Sequence, residues 1–173
     1  MTINCTLTAL VNNDIDGIVA AFKSIGWNKP ASIYQAYLKD QSDSQRSVIV
    51  AKEDGIFCGY VTIKFKSEYP AFSLKNIPEI SDLNVLPDYR RKGIGTILIE
   101  ACEAIARDRG CAQIGIGVGM TADYGSAQRL YPRLGYIPDG CGLHYKNKPV
   151  NYGDKVDVDD DLVLYFIKPL SGR

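Results

Sequence analysis

The stretch at residues 82–98 constrains the fold most strongly. A strand-like segment ends at Pro87, a short basic turn follows, and an amphipathic helix then begins. Gly93 and Gly95 allow a ligand to approach the backbone of this turn closely. Three consecutive basic side chains stand at the start of the helix: Arg90, Arg91 and Lys92. The first N–H groups of a helix lack intrahelical acceptors and lie at its positive end, so this segment predicts a site for a phosphorylated cofactor.

The spacing of the glycines separates the classes of phosphate-binding turn. A P-loop requires Lys and then Ser or Thr directly after its last glycine, whereas Gly95 is followed by Thr96 and Ile97. A dinucleotide-binding fingerprint requires a third glycine where this chain has Leu98. The segment instead reads R-x-x-G-x-G from Arg90. It resembles the acyl-coenzyme A signature of the GNAT N-acetyltransferase superfamily.

A second motif, at residues 124–136, resembles the helix and following strand of the same superfamily, N-x-x-A-x-x-L-Y-x-x-x-G-F. Ala127 and Leu130 lie on one helical face because their spacing is three. Two features depart from the family pattern. Tyr124 stands where the family often has Asn, and Pro132 lies inside the helical pattern, where it is expected to kink the helix or confine it.

The resemblance implies acetyl-coenzyme A as the cofactor. The residues expected to contact it are Leu83, Asn84, Val85, Arg90, Arg91, Lys92, Gly93, Ile94, Gly95, Thr96, Tyr124, Ser126, Ala127 and Arg129. By the same resemblance, Leu83 and Val85 pair with the amide-rich pantetheine arm as a strand would. The backbone N–H of Leu83 is the expected donor to the thioester oxygen as it gains charge.

Acetyl transfer to an amine also requires an acceptor for the amine proton, because neutralising an alkyl ammonium at pH 7 costs about 4 kcal/mol. The resemblance to the histone-acetylating branch points to Glu79, and Asp82 is the competing carboxylate. On a regular strand these two side chains point to opposite faces, so only a bulge would let both face one cleft. Tyr131 occupies the family's general-acid position, with packing as the alternative role.

The acceptor is less well specified. The aromatic residues Trp27, Tyr34 and Tyr37 form either a wall of the acceptor cleft or a plain core stripe. An acidic cluster within residues 154–161 either attracts a cationic amine or is a solvated loop. We therefore expect an N-acetyltransferase that acts on a small-molecule or peptide primary amine by direct transfer in a ternary complex. The alternative from another class is a non-catalytic acyl-coenzyme A sensor or partner-binding module.

Composition places these motifs in one acetyltransferase domain covering residues 1–173, since 46% of the residues are hydrophobic. The zero net charge gives no support for a nucleic-acid partner. No apolar run reaches membrane length, and residues 1–10 lack the features of a secretory signal. Five cysteines without a C-x-x-C pair predict reduced thiols and no metal site. We expect a cytoplasmic monomer or homodimer.

The hydrophobic pattern predicts a single α/β unit. The resemblance implies a fold of the GNAT type, with helices flanking a mixed and mainly antiparallel sheet that splays at the cofactor-binding strand. A hairpin is expected around Glu53-Asp54-Gly55. Residues 138–160 are expected to form a long polar loop with His144 at the surface. The strand at 113–120 has glycine at every second position on one face, which indicates either tight packing or room for a cofactor arm.

Overall fold

The computed structural model describes residues 5–170, and in this range it has eight strands and five α-helices. The strands are β1 (Cys5–Ala9), β2 (Arg46–Glu53), β3 (Ile56–Lys64), β4 (Glu79–Val85), β5 (Gln113–Gly119), β6 (Ile137–Tyr145), β7 (Lys148–Pro149) and β8 (Leu162–Pro169). The helices are α1 (Ile15–Ser24), α2 (Ala31–Ser42), α3 (Pro70–Ser73), α4 (Ile94–Asp108) and α5 (Gly125–Arg133). Short 3-10 segments span Asn12–Asp14, Pro87–Tyr89 and Ala122–Tyr124.

The strand order is β1-β2-β3-β4-β5-β8-β6-β7. The pairing of β4 with β5 is parallel, and the pairings of β1 with β2, β2 with β3, β5 with β8, and β6 with both β8 and β7 are antiparallel. The parallel register comprises only two pairs, Glu79 with Gly115 and Ile80 with Ile116. The mixed, mainly antiparallel α/β class predicted from the sequence is therefore confirmed.

Cα positions group the chain into two compact units. The first comprises residues up to Lys64 together with Ser81–Cys102, and the second comprises Phe65–Ile80 and the chain from Glu103 onward. The strand β4 and the helix α4 each run from one unit into the other. Within residues 5–170, no helix combines the length and the apolar character needed to cross a membrane.

The core of the first unit forms where the apolar face of α1 meets the hairpin of β2 and β3. Ile15, Ile18 and Phe22 recur at helical spacing and are buried on that face. They pack with Tyr34 of α2 and with apolar residues of the strands, Val48, Val50, Phe57 and Tyr60. The hairpin prediction is confirmed: Asp54 and Gly55 both have positive φ, as a two-residue type I′ turn requires.

In the second unit, aromatic rings occupy the glycine face of β5. A Cβ atom at Gly115 would overlap the ring of Phe72, and one at Gly119 would lie 2.5 Å from the ring of Tyr124. A Cβ at Gly117 would lie 2.8 Å from Val163. Of the two interpretations that the sequence left open, tight packing is therefore correct for this face.

Three residues of the second unit surround a buried carboxylate. Glu103 accepts hydrogen bonds from Tyr136 at 3.0 Å and from Lys168 at 2.8 and 2.9 Å, and Arg107 contacts its other oxygen at 3.1 Å. Because Glu103 is only 3% exposed, these partners are what make its burial tolerable.

The sequence-based prediction for residues 138–160 is wrong in its first half. Strand β6 covers Ile137–Tyr145 and pairs with β8, and Lys148–Pro149 pairs back with β6. His144 is consequently buried, and its ring lies 4.8 Å from that of Tyr69. The polar residues that suggested a loop occupy exposed strand positions and turns. Part of the first predicted strand, residues 3–4, lies outside the described residues.

The glycine face of β5 yields a stability prediction. We expect Gly115→Ala to lower the free energy of unfolding by about 1–3 kcal/mol, because the new methyl group overpacks against Phe72. Chemical denaturation measures the change. The matched control is Gly17→Ala in α1, where a Cβ would meet nothing within 4 Å and the helix should gain up to about 1 kcal/mol. Equal stabilities for the two variants would contradict this account of the strand.

Candidate functional site

The basic turn of the first unit presents a row of unused hydrogen-bond donors. Arg90 N–H donates to Pro87 at 3.1 Å, and the next backbone donor in use is Ile97, which donates to Gly93 at 3.2 Å. Within residues 5–170, the six N–H groups of residues 91–96 between them make no hydrogen bond. Arg91 and Gly93 have φ of 63° and 84°, and left-handed residues in such a turn make an anion-binding concavity.

Position and charge make this turn suitable for phosphate. Arg91, Lys92 and Gly93 are exposed, and the 15-residue helix α4 begins directly after them. Lys92 is tied only loosely, at 3.6 Å from Glu53, while Arg90 donates to the carbonyl of Val85 at 3.0 Å. The residues present therefore fit a pyrophosphate group, because free N–H donors, a helix start and exposed cationic side chains coincide.

A partly buried polar cluster surrounds the Asp82 side chain of strand β4. The carboxylate of Asp82 accepts hydrogen bonds from Lys29 at 2.8 Å, from Asn84 at 2.7 Å and from Tyr37 at 2.8 Å, and it also accepts one from Tyr60. Lys29 donates in addition to the Tyr60 hydroxyl at 2.9 Å. We call these five residues the Asp82 cluster.

The Asp82 cluster favours the ionised carboxylate. Burial opposes ionisation of Asp82, but the charge of Lys29 and the hydrogen bonds from Lys29, Tyr60 and Tyr37 outweigh it and lower the pKa of this carboxyl below its ordinary value. Burial, followed by the nearby Asp82 charge, raises the pKa of Tyr60 and Tyr37, so both remain hydrogen-bond donors. A depressed folded-state pKa stabilises the fold above the unfolded-state pKa of about 4, and this contribution is lost as the pH falls below that value and through the lower folded-state pKa.

The three aromatic residues expected at the acceptor differ in accessibility. Trp27 is 39% exposed, stacks on Phe22 with ring centroids 5.8 Å apart, and lies under the Arg90 guanidinium at 5.8 Å. Tyr37 is partly buried and its hydroxyl is used by Asp82. Tyr34 is 0% exposed, so its assignment to an acceptor wall is wrong and it belongs to the core stripe.

The backbone of β4 is approached closely by a glycine that the sequence analysis did not identify. A Cβ atom at Gly59 on β3 would lie 2.6 Å from the carbonyl oxygen of Asn84 and 3.2 Å from the Cα of Val85. Leu83, Asn84 and Val85 are all half-buried. Gly59 therefore allows β3 to lie against the segment in which the pantetheine contacts are predicted.

In the second unit, Glu79 is held by a serine. The Ser67 hydroxyl donates to Glu79 Oε2 at 2.6 Å and accepts the backbone N–H of Tyr69 at 2.9 Å. Ser67 and Glu79 are 3% and 8% exposed. The Tyr69 N–H occupies the acceptor side of the hydroxyl, so the serine proton is directed at the carboxylate. Ser67 has no motif signal and could be found only from the structure.

The second motif forms α5 and ends close to where it was predicted to end. Tyr131 is 5% exposed, and within residues 5–170 its hydroxyl makes no hydrogen bond. Burial, with a smaller contribution from Tyr124, raises its pKa, so the hydroxyl remains protonated at neutral pH. Pro132 is the penultimate residue of the helix, where it has no N–H to donate to the carbonyl of residue 128, and the helix ends one residue later at Arg133.

The remaining predicted cofactor contacts lie around the start of α5. Ser126 and Arg129 are exposed and three residues apart, so they share one face of the helix, and Ala127 is half-buried. Tyr124 packs its ring on Gly119 and donates to Asp160 at 3.1 Å. Gln128, which the sequence analysis did not identify, donates to the carbonyl of Gly119 at 2.9 Å and fixes the helix start to β5.

Residues 5–170 contain no group of three or more His, Cys, Asp or Glu side chains arranged to hold a metal ion. All five cysteines, at positions 5, 58, 102, 111 and 141, are free thiols.

Known proteins share both the sequence pattern and the fold. The chain is 33% identical over 116 residues to a protein described as an uncharacterized N-acetyltransferase, YhfO, of Bacillus subtilis (strain 168), covering 64% of this chain and 72% of that protein. An N-acetyltransferase structure from Staphylococcus aureus Mu50 superposes with a TM-score of 0.72 at 17% identity, covering 97% and 99% of the two chains.

A second structure, of the putative acetyltransferase yncA of Salmonella typhimurium with its cofactor acetyl-CoA, superposes with a TM-score of 0.69 at 19% identity, covering 98% and 96% of the chains. The family described as "Acetyltransferase (GNAT) family" matches residues 13–136. This match spans both motifs and the strands β2 to β5, and it shows that the chain belongs to the GNAT acetyltransferase family.

Proposed function

We propose that this protein transfers an acetyl group from acetyl-coenzyme A to a primary amine, by direct transfer in a ternary complex. The observation that carries the proposal is the run of six unbonded N–H groups at residues 91–96, in a turn that fits pyrophosphate. Membership of the GNAT family supports the reaction class. Acetyl-coenzyme A supplies the acetyl group as a thioester.

The proposed cofactor contacts come from three segments: the basic turn, the strand β4 and the helix α5. Residues 91–96 hold the phosphates through N–H groups, with Arg90, Arg91 and Lys92 adding charge. The backbone of Leu83 and Val85 pairs with the pantetheine amides, and the Leu83 N–H stabilises the oxygen that gains charge. Ser126, Ala127 and Arg129 contribute from α5, whereas Tyr124 is a weaker candidate because its ring packs on Gly119.

Glu79 is the proposed proton acceptor. Its carboxylate is buried and is oriented by the Ser67 hydroxyl, which donates to it at 2.6 Å. A carboxylate so placed accepts the ammonium proton directly or through one water molecule. The amine then attacks as its neutral form.

Tyr131 is the proposed donor to the departing sulfur. Because its pKa is raised, it cannot give up its proton completely to a thiolate of ordinary basicity, so it acts chiefly as a hydrogen-bond donor. The Tyr131 side chain is 5% exposed, and its hydroxyl donates to no other described residue, so it offers that hydrogen bond without first breaking another one within the protein. This role explains a polar hydroxyl in an otherwise aromatic environment with Tyr136 and Phe166.

A non-catalytic acyl-coenzyme A sensor would need the same turn but neither Glu79 nor Tyr131. Turnover of acetyl-coenzyme A over a panel of small-molecule and peptide amines, measured as free thiol released, separates the two functions. Release that depends on the amine supports the transferase. Tight coenzyme A binding with no amine-dependent release would support the sensor.

The proton acceptor is tested by Glu79→Gln. We expect kcat/KM to fall most near pH 7 and to recover as the pH approaches the pKa of the amine, about 10, where the free amine is already abundant. Rates between pH 6 and pH 10 measure this. Glu68→Gln makes the same charge change at an exposed neighbouring position and should be silent. A uniform loss for Glu79→Gln would argue against a base.

The cofactor turn is tested by Gly93→Val. A branched side chain at φ 84° distorts the turn and enters the phosphate path, so coenzyme A affinity should fall at least about tenfold. Calorimetry on the folded variant measures the affinity. Gly153→Val carries the same backbone strain, at φ 87° with nothing within 4 Å, and should leave the affinity unchanged. Unchanged affinity in both variants would place the cofactor elsewhere.

The role of Tyr131 is tested against its neighbour. Tyr131→Phe should lower kcat roughly ten- to a hundredfold with little change in stability, because the hydroxyl makes no hydrogen bond at rest. Tyr136→Phe should instead cost about 1–3 kcal/mol of stability through the lost bond to Glu103, with kcat retained. Wild-type kcat in Tyr131→Phe would leave this tyrosine a packing residue.

A further inference from the structure

We infer that Asp82 is a positioning residue for acetyl transfer and not a second base: its carboxylate holds the left-handed turn in β4 that sets the direction of the Leu83 N–H. The inference rests on the proposed function, because it concerns the strand assigned to the thioester. Glu79 is then the proton acceptor and Asp82 the positioning residue, so the two carboxylates do not compete for one proton.

The backbone of β4 is irregular at Asp82. Asp82 has φ of 49° inside β4, a conformation that L-residues rarely adopt and that Asp tolerates better than most. One left-handed residue breaks the alternation of the strand, so the N–H groups that follow it no longer point as they would in a regular ladder. Leu83 is the residue directly after this break.

The carboxylate itself has no acceptor capacity to spare. An ionised carboxylate offers about four acceptor sites on its two oxygens. Lys29 and Asn84 donate to Oδ1, at 2.8 and 2.7 Å, while Tyr37 and Tyr60 donate to Oδ2. Four donors therefore fill four sites, and a substrate ammonium would have to displace one of them to transfer its proton.

The donors come from segments that are well anchored. Tyr60 is 0% exposed on β3, and its ring packs edge-on against Phe22 at 6.0 Å and Tyr34 at 5.6 Å. The Lys29 ammonium lies 5.4 Å from the Phe22 ring and 5.3 Å from the Tyr60 ring. These donors are packed against aromatic rings, and the backbone at Asp82 is left-handed. The Asp82 side chain connects the packed donors to this backbone.

One donor to the carboxylate, Asn84, is only two residues away along the chain. Asn84 Nδ2 donates to Asp82 Oδ1 and also to the Asp82 carbonyl, at 3.2 Å. Asn84 thus bridges the side chain and the main chain of the left-handed residue, across Leu83. Removal of the carboxylate would release the side-chain end of this bridge and the three other donors, and would leave the Leu83 peptide held less firmly.

The experiment compares Asp82→Gly with Asp82→Asn. Glycine accepts φ of 49° without strain but has no carboxylate, and asparagine keeps the shape while losing the charge. We expect Asp82→Gly to lower kcat at least about tenfold, by the same factor at every pH from 6 to 10, with a smaller uniform loss for Asp82→Asn. Hydrogen exchange of the amides of residues 82–85 should be faster in Asp82→Gly.

Two tyrosines provide a matched pair that keeps the fold intact. Tyr60→Phe removes a donor to Asp82 and should share the pH-independent loss and the faster exchange. Tyr34→Phe removes a buried hydroxyl that makes no hydrogen bond within residues 5–170, in the ring packed beside Tyr60, and should change neither measurement. If Asp82→Gly does not fold, this pair still decides the question.

Two outcomes would overturn the inference. Recovery of Asp82→Asn activity toward pH 10 would make Asp82 the base. Wild-type kcat and exchange in Asp82→Gly would show that the backbone holds its turn without the carboxylate. The exchange measurement needs no substrate, so it tests the positioning role even if the chain transfers no acetyl group, whereas the amine panel tests the transfer alone.

Discussion

The hydrogen bonds to one carboxylate, Asp82, organise the first unit around its most unusual backbone residue. Burial of that charge is unfavourable unless it is paired, and Lys29 with two phenols and an amide supplies the pairing. In return the carboxylate fixes a left-handed residue inside a strand. A polar network that is completely satisfied rigidifies its surroundings, so the strand and the adjoining turn are presented in one conformation.

In the second unit, aromatic rings pack against glycines. One face of β5 is formed by alternate glycines, so Phe72, Tyr124 and Tyr165 lie directly against the strand backbone. Tyr69 stacks on Tyr165 with ring centroids 3.7 Å apart, and the same tyrosine gives its N–H to Ser67 beside Glu79. Packing of the aromatic residues and orientation of the candidate base therefore depend on the same short segment.

Sequence reasoning succeeded where the signal is local. The strand, basic turn and helix at residues 82–98, the hairpin at Asp54-Gly55 and the helix of the second motif each depend on neighbouring residues, and all are present. It failed for residues 138–149, because the exposed positions of β6 carry glycine, proline and polar side chains that also suit a loop. It also left open whether Tyr34 lines the acceptor cleft or belongs to the core, since the residues of a helical stripe do not reveal which element packs against them.

The sequence by itself determined the family and the exposed basic turn, because the spacing of a few adjacent residues dictates where a helix start and positive charge fall. Only the tertiary structure decided which groups contact the two carboxylates. The donors to Asp82 from Lys29, Tyr37 and Tyr60 are 53, 45 and 22 residues away along the chain, and Ser67 is 12 residues from Glu79. Contacts over such separations leave no periodic trace in a sequence, so the surroundings of the two acids follow from folding and not from motif.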